Sequence, residues 1–315
     1  MGNSIGYKNG RFSIKKHDVQ KSAAETAALR KLRFFLDKSE PALVRLLVTT
    51  WRSQGKAITY KELREAILAG EISAEYFEQW QEDYARFVTA YLQPMWEKSI
   101  DAAVAELSAK YPLWHFDPMA EGVREWAQTR AAEFVTNTST TQIMGLRAVV
   151  QRAAALEDMV VDELARVIRP MVGLTKQQAI ANMNYYETLI AGGMKTEKAM
   201  DLAIRYAARQ HRYRAYNIAR TELAFAYNKG SYEGIKQAQA AGYMGEMVKV
   251  WCTADDERVC EICGGMEGKR IAMDEDFDYK TRLQAANPGI RRTPPAHPGC
   301  RCTVIYEEIS PPIFR

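Results

Sequence analysis

The chain contains two cysteine-rich segments, CEICGG at residues 260–265 and HPGCRC at residues 297–302. Together they form a C-x2-C pair, a long loop and an H-x2-C-x-C group. Zinc prefers four tetrahedral nitrogen or sulfur ligands, and a C-x2-C turn places two thiolates on one ion. The prolines next to His297 stiffen the chain, so this ligand loses less entropy when it is ordered. The pattern therefore predicts a structural zinc site.

Five side chains compete for the four ligand positions of this predicted site. Cys260, Cys263, His297 and Cys302 are the favoured set, and Cys300 is the rival for the last position. In an extended Cys-Arg-Cys segment the first and third side chains point to the same side, so spacing does not choose between them. The remaining cysteine, Cys252, lies eight residues before the first pair and is expected to be a buried free thiol.

The distribution of cysteines indicates a metal rather than disulfides. No cysteine precedes Cys252, and all five fall within 51 residues, beside one histidine. A secreted disulfide framework more often spreads its cysteines through a small domain. The region 243–315 is rich in glycine and proline and has little core of its own, and a zinc site contributes roughly 10–16 kcal/mol of apparent binding energy to such domains. We expect the metal to hold this region folded in a reducing compartment.

The predicted zinc site has more soft ligands than a catalytic zinc needs. Catalytic zinc usually has three protein ligands and one open position for water. With four or five ligands available, a closed structural site and a non-enzymatic protein are predicted. The alternative is a zinc-containing nuclease or toxin-like enzyme. Such an enzyme needs a general base and a second metal site, and the only other histidine near in sequence is His211.

The segment before the cysteines is helical in pattern from about residue 18 to residue 241, because good helix formers dominate it. We predict helices over 18–38, 41–54, 74–110 with a kink or break at Pro94, 118–135, 176–190 and 196–241, with a polar connector at 136–141. Short strands are predicted at Val248–Trp251 and Thr303–Tyr306. The predicted fold class is mainly α, an elongated multi-helix body followed by a small, loop-rich α+β domain stapled by zinc.

These elements divide the chain into four predicted parts. They are a flexible N-terminal arm at 1–17, a helical body at 18–169, a second helical part at 170–242, and a zinc-binding cap with short strands at 243–315. Apolar residues make up 47% of the chain and charged residues 26%, as in ordinary globular proteins. No apolar run is long enough to span a bilayer, so no membrane contact is expected.

A basic and aromatic stretch, RYAARQHRYRAYNIAR, covers residues 205–220. Arg205, Arg209 and Arg212 recur at helical spacing on one face, with Arg214 close by and tyrosines between them. Such a face suits DNA phosphates and stacked bases, or an acidic surface of another protein. The alternative is an ordinary solvated helix face. The net charge of +4 is too small to point to nucleic acid by itself.

The order and spacing of a longer series of residues resemble the phage Mu F-like head-morphogenesis family over about residues 170–306. No motif is apparent before that region, and the first half looks variable. The series comprises Ile218-Ala-Arg220-Thr221-Glu222, Asn228, Gly230, Trp251, Asp255/Asp256, Val259-Cys260-x-x-Cys263, Gly268, Phe277 and Pro294-Pro295-x-His297-Pro298-x-Cys300-Arg301-Cys302.

The resemblance implies a minor structural protein of a tailed-phage head that acts in procapsid assembly at the portal vertex. The implied partners are the portal protein and the major capsid or scaffold protein, with double-stranded DNA as a further candidate and no small-molecule substrate. The implied location is the virion, in the head interior or at the portal vertex, and the host cytoplasm during assembly. A DNA-binding module is the second alternative to this function.

The Arg-Thr-Glu element at residues 220–222 is expected to be structural. In a helix Arg220 and Glu222 point to different sides. Arg220 is expected to reach Asp255 or Asp256 and so hold the cap on the helix. The alternative role, an active-site Arg/Glu pair, belongs to the enzymatic hypothesis.

Overall fold

The structure is a computed structural model, and it describes residues 5–8, 11–14, 21–156, 159–254, 256, 259–279 and 292–312. The chain divides into two compact units. The first unit consists of Met1–Ser39, Trp96–Val123 and Arg220–Arg315, and the second of Glu40–Met95 and Arg124–Ala219. The division of the sequence into four successive parts stays a prediction.

The chain is mainly helical, as predicted, with a small antiparallel sheet near the C-terminus. The α-helices are α1 Ala23–Ala57, α2 Tyr60–Ala69, α3 Glu75–Phe87, α4 Gln93–Lys110, α5 Glu121–Ala154, α6 Val161–Ile168, α7 Lys176–Ala191, α8 Thr196–Ala240 and the single turn α9 Glu261–Gly264. The strands are β1 Ile5–Lys8, β2 Arg11–Ile14, β3 Glu246–Cys252, β4 Arg270–Ala272 and β5 Thr303–Ser310. Strands β1 and β2 pair with each other inside the segment predicted to be a flexible arm.

Two helix boundaries that the sequence predicts are wrong. Helix α1 continues through Pro41, and Leu36 and Leu43 on either side of this proline are both buried. Burial along the helix outweighs the hydrogen bond that proline cannot donate. Helix α5 continues through the predicted polar connector at 136–141, because Thr138 and Ser139 there are buried by tertiary packing, and the hydroxyls of the stretch bond to carbonyls of the same helix. Ser139 Oγ donates to the Val135 carbonyl at 2.7 Å, and Thr141 Oγ1 donates to the Asn137 carbonyl at 2.8 Å.

Other local predictions are confirmed. Helix α7 has nearly the bounds predicted for it, 176–190, and begins with a capping box of Thr175 and Gln178, while α8 also has nearly its predicted bounds. A π-helical turn at Val88–Leu92 interrupts the helix just before Pro94. The predicted start of the first helix, at residue 18, lies outside the described residues. Instead, Ser22 and Glu25 exchange hydrogen bonds where α1 begins, a capping pattern that the sequence analysis overlooked.

The small sheet has the strand order β4-β3-β5, and all its pairs are antiparallel. Strands β3 and β5 contain the two predicted strands, whereas β4 was not predicted because it is short and mostly exposed. Trp251 of β3 is fully buried and packs with Phe277, Tyr279, Met266 and Val304. Within the described part of the chain, no helix is both long enough and apolar enough to cross a membrane.

Candidate metal centre

The first pair of cysteines is placed by the single-turn helix α9. Cys260 is the N-cap residue of this turn, and its sulfur accepts a hydrogen bond from the amide of Cys263 at 3.4 Å. The carbonyl of Cys260 accepts a bond from the amide of Gly264 at 2.8 Å, which closes the turn. The backbone therefore holds both sulfurs on the same side of a tight turn, where they can bind one ion.

His297 brings an imidazole to these two sulfurs. Its Nε2 lies 3.2 Å from Cys260 Sγ and 3.2 Å from Cys263 Sγ. Its Nδ1 lies 3.0 Å from the Pro298 carbonyl, which is a hydrogen-bond acceptor. In the tautomer that donates from Nδ1, the lone pair of Nε2 is free for a metal. This is the usual arrangement behind a metal-binding histidine.

The remaining two cysteines join the cluster through Cys263. Its sulfur lies 3.7 Å from Cys300 Sγ, and Cys263, Cys300 and Cys302 form a group whose sulfurs all lie within 4.8 Å of one another. Cys260, Cys263 and His297 form a second such group. The structure thus brings together all five side chains that the sequence analysis singled out. The choice of ligands among them stays a prediction.

The cluster lies in the core of the cap rather than at its surface. Cys263, Cys300 and Cys302 are buried, while Cys260 and His297 are half-buried. The cysteines pack against Trp251, Phe277 and Ala296. A ligand set in an apolar setting is poorly hydrated, so a bound cation there would interact strongly with its thiolates.

The electrostatics of the cluster favour one thiolate beside a charged imidazole. Hydrogen bonds from the Cys263 and Cys302 thiols hold the pKa of Cys300 well below its usual range. The adjacent Cys300 raises the pKa of His297 to about 9. A thiolate is the form of cysteine that binds metals, and metal binding releases the protons of such a cluster.

Cys252 is buried and free, as predicted, and does not belong to either group of the cluster. Burial is the largest cause that raises the pKa of its thiol, to about 12. Its sulfur lies 3.7 Å from Glu25 Oε1 near the start of α1. A protonated thiol in this position is unreactive.

Two side chains of α8 tie this helix to the cysteine-rich loop. The Thr221 hydroxyl oxygen accepts a hydrogen bond from the amide of Gly299 at 2.9 Å. The amide oxygen of Asn228 accepts a bond from the Thr303 hydroxyl at 2.9 Å. Thr221 and Asn228 are seven residues apart, two helical turns, and so share a face. Both residues belong to the motif identified in the sequence, but their contacts were not predicted, although the seven-residue spacing was an available signal.

The neighbours of Thr221 are buried as well. Arg220 Nη2 lies 3.7 Å from Asp37 Oδ1 of α1. Asp256 forms a two-pronged ion pair with Arg301, next to Cys300 and Cys302. Asp255 lies outside the described residues. The predicted contact from Arg220 to Asp255 or Asp256 therefore stays a prediction. Glu222 is buried on the other side of the helix from Arg220, in keeping with a structural role.

The four arginines of the basic stretch separate into two kinds. Arg205, Arg209 and Arg212 are exposed on α8. Arg214 is buried, donates to Thr141 Oγ1 at 2.7 Å and to the Gly173 carbonyl, and lies over the Trp51 ring. The prediction that Arg214 contacts DNA or another protein is therefore wrong, because its side chain supports the interior of the second unit. Its spacing of two from Arg212 places it on a different helix face.

The chain is mainly helical and carries a compact, cysteine-rich cap that could hold a metal ion. Residues 160–305 match the family described as Phage Mu protein F like protein. This match supports the resemblance to the phage Mu F-like family seen in the sequence. No curated protein and no solved structure matches the chain.

The matched family is one of structural phage head proteins, and the match suggests a head-morphogenesis role and a virion location. It also indicates other head components as partners in general terms.

Proposed function

We propose that this chain is a minor structural protein of a tailed-phage head that acts at the portal vertex during procapsid assembly, with a cap held folded by zinc. The observation that supports the assembly role is the family match over residues 160–305. The observation that supports the zinc is the cluster of four thiols and one imidazole in the core of the cap.

The donor set fits zinc in chemistry, and one of its sulfur–sulfur distances fits zinc in size. Thiolate and imidazole are the ligands of structural zinc sites, and a Zn–S bond of about 2.3 Å in a tetrahedron corresponds to a distance of about 3.8 Å between sulfurs. The separation of 3.7 Å between Cys263 Sγ and Cys300 Sγ agrees with that edge. We therefore propose Cys260, Cys263, His297 and Cys300 as ligands. This set revises the earlier preference for Cys302, which we place next to the ligands.

Such a site is closed, which is why we propose a structural role and no enzymatic one. When bound, zinc would cross-link α9 to the segment 297–302 as a Lewis acid without redox chemistry. The chain's own contribution is to hold the ligands in place, through the turn after Cys260 and through the contacts of Thr221 and Asn228 on α8.

Metal analysis of single variants tests the ligand set. We expect one zinc per wild-type chain, a loss of zinc and of thermal stability in Cys263→Ser, and the same loss in Cys300→Ser. Cys302→Ser should keep its zinc, and Cys252→Ser is the matched control outside the cluster. A wild-type chain that is purified under reducing conditions and holds no zinc would contradict the proposal. Zinc retained in Cys300→Ser but lost in Cys302→Ser would reverse the choice of fourth ligand.

A second contact, to DNA, is favoured by the exposed face of α8. Arg205, Arg209 and Arg212 are exposed there, together with Tyr213, whose side chain is 66% exposed. Arginine beside an exposed aromatic ring suits phosphate and base stacking. We propose that this face contacts packaged DNA once the protein is in the head.

The salt dependence of DNA binding tests this contact. Each phosphate contact makes the slope of log K against log salt concentration about 0.9 more negative for duplex DNA. Replacing Arg205, Arg209 and Arg212 by glutamine should make that slope less negative by about 3, whereas the exposed control Arg33→Gln should leave it unchanged. Equal slopes in both variants would exclude this face as the DNA contact.

Native mass spectrometry with the purified portal ring tests the assembly role. We expect a ring-bound species of defined stoichiometry. A chain that holds zinc but does not bind the ring would contradict the portal assignment and leave the zinc site standing.

A further inference from the structure

Acidic side chains are absent from three segments of the second unit. Asp and Glu make up 39 of the 315 residues, yet none occurs within 41–61, 164–186 or 202–219. The same three segments contain eleven lysines and arginines. All three segments belong to the second unit. Charges of one sign that are concentrated in part of a domain create a potential that attracts partners of the opposite charge.

The fold brings these three segments together around a buried hub, formed by Trp51 of α1, Val172 in the turn before α7, and His211 of α8. The centre of the His211 ring lies 5.5 Å from that of the Trp51 ring, and its Nε2 lies 2.9 Å from the Val172 carbonyl oxygen. Arg169 Nε donates to the Gly55 carbonyl at 3.0 Å. The C-terminal part of α1, the turn before α7 and the middle of α8 are therefore neighbours in space.

Exposed cations on all three segments accompany this hub. Arg52 and Arg212 each directly follow one of its two rings in the sequence. Lys56 lies in the last turn of α1, and Lys176 is the first residue of α7. All four side chains are exposed. The exposed positive charge near the hub therefore comes from three elements and not from α8 alone.

The positive charge of Arg52 reaches the middle of α8. Burial is the largest cause that lowers the pKa of His211 to about 4, and the positive charges of Arg214 and Arg52 lower it further. Arg52 belongs to α1 and His211 to α8. The charge of α1 therefore acts where α8 exposes Arg212, and the two elements contribute to the same positive potential.

Duplex DNA fits this distribution of charge. Among the described residues, no carboxylate forms an ion pair with Arg52, Lys56 or Lys176, in contrast to Arg152, which pairs with Glu187. Cations without a carboxylate partner can bind phosphates and release the counterions of DNA. A duplex carries one negative charge per roughly 1.7 Å of its axis, so it can meet cations from several elements at once. An acidic protein would need carboxylates at positions that match these three elements.

We infer that Arg52 and Lys56 of α1 and Lys176 of α7 bind phosphates of the same DNA duplex as the exposed arginines of α8. The inference rests on the DNA contact proposed above for α8, and it enlarges that contact from one helix to three elements. The added contacts are independent of DNA sequence, because cations that bind phosphates position a duplex without reading its base edges.

The salt dependence of binding to a short DNA duplex, measured by fluorescence anisotropy with the full-length chain, tests the inference. The hub variant combines Arg52→Gln, Lys56→Gln and Lys176→Gln. Its slope of log K against log salt concentration should be less negative than that of the wild type by about 3. Adding the three substitutions of the α8 variant should make the slope less negative by about 5 in total. Circular dichroism of every variant establishes that the fold is intact.

A matched control removes the same net charge from the first unit and should keep the wild-type slope. It replaces three exposed cations of that unit by glutamine, namely Arg33, Lys98 and Lys110.

The α8 variant separates this inference from the proposal on which it rests. A wild-type slope in the hub variant, with a changed slope in the α8 variant, would overturn the inference and leave the α8 contact standing. Wild-type slopes in both variants would overturn both. A wild-type chain that binds poly-glutamate but no duplex would also overturn both, in favour of an acidic protein as partner.

Discussion

The hydroxyl oxygen of Thr221 lies 2.9 Å from the amide nitrogen of Gly299. In the sequence, Gly299 stands between the proposed zinc ligands His297 and Cys300. Thr221→Val keeps the shape of the side chain but leaves this amide without its acceptor. We expect the free energy of unfolding in urea to fall by about 1–2 kcal/mol. Thr188→Val, an exposed threonine that bonds within its own helix, should change it by less than about 0.5 kcal/mol. Equal effects of the two variants would contradict the role of Thr221.

Asn228 and Thr303 should be energetically coupled, because the Thr303 hydroxyl donates to the Asn228 amide oxygen inside the core. A double-mutant cycle with Asn228→Ala and Thr303→Val isolates this contact. We expect a coupling energy of about 1 kcal/mol. A coupling energy near zero would mean that the two side chains contribute independently. A cycle of Asn228→Ala with the remote Thr188→Val supplies the additive reference.

Gly230 should tolerate no side chain. A Cβ at this position would lie 2.7 Å from Ile100 Cα of α4, and backbone cannot move aside as a flexible side chain can. Gly230→Ala is expected to lower the free energy of unfolding by about 1–3 kcal/mol despite the better helix propensity of alanine. Gly264→Ala, whose Cβ would meet Val259 Cγ1 at 3.8 Å, is the control and should be close to neutral. A stabilised Gly230→Ala variant would show that α4 and α8 have room to separate.

His211 should make the stability of the chain depend on pH. Burial lowers the pKa of His211 from 6.5 to about 4 in the folded protein. The unfolded chain therefore binds more protons between pH 4 and pH 6.5, and folding stability is lost as the pH falls through this window. The loss reaches about 3 kcal/mol near the lower end.

Denaturant unfolding at a series of pH values checks the predicted effect of His211 on stability. The quantity to compare is the difference in the free energy of unfolding between wild type and His211→Gln. Acid affects the cysteine cluster of both proteins equally, so that contribution cancels in the difference. That difference should change with pH between 4 and 6.5 and be flat above. A constant difference throughout would mean that His211 titrates normally in the folded state.

Arg214 should matter for stability and Arg212 should not. Arg214 is buried, with its guanidinium 5.0 Å from the Trp51 ring centre, whereas Arg212 is exposed on the same helix. We expect Arg214→Met to lower the free energy of unfolding by about 2–3 kcal/mol, because the Thr141 hydroxyl and the Gly173 carbonyl lose their donor. Arg212→Met should stay within about 0.5 kcal/mol. Similar melting temperatures for the two variants would contradict the burial of Arg214.

The cysteine cluster and most helices could be predicted because their signals are local. The C-x2-C spacing alone predicts that Cys260 and Cys263 form a metal-binding pair. The capping box at Thr175 marks the start of α7. The errors at Pro41 and at residues 136–141 arose where tertiary burial outweighed a local preference for breaking the helix.

The contacts between distant segments could not be predicted in the same way. Nothing local shows that Thr221 meets Gly299 or that Arg214 turns inward, since both depend on which helix face meets which neighbour. The motif that contains Thr221 was visible in the sequence, but the reason for it becomes clear only from the distances in the folded chain.

The cluster joins Cys263 to a histidine that follows it by 34 residues, which has a consequence for the newly made protein. A ribosome adds residues in order, so the thiols of Cys260 and Cys263 emerge well before the imidazole and the later thiols that surround them in the finished cap. Helix α8 is also made before its partners, because Thr221 and Asn228 contact Gly299 and Thr303, which are synthesised later. Until residues 297–302 are made, oxidants can reach the sulfurs of Cys260 and Cys263, which the mature protein shields. Yield should therefore depend on the redox conditions during synthesis more than on those during storage.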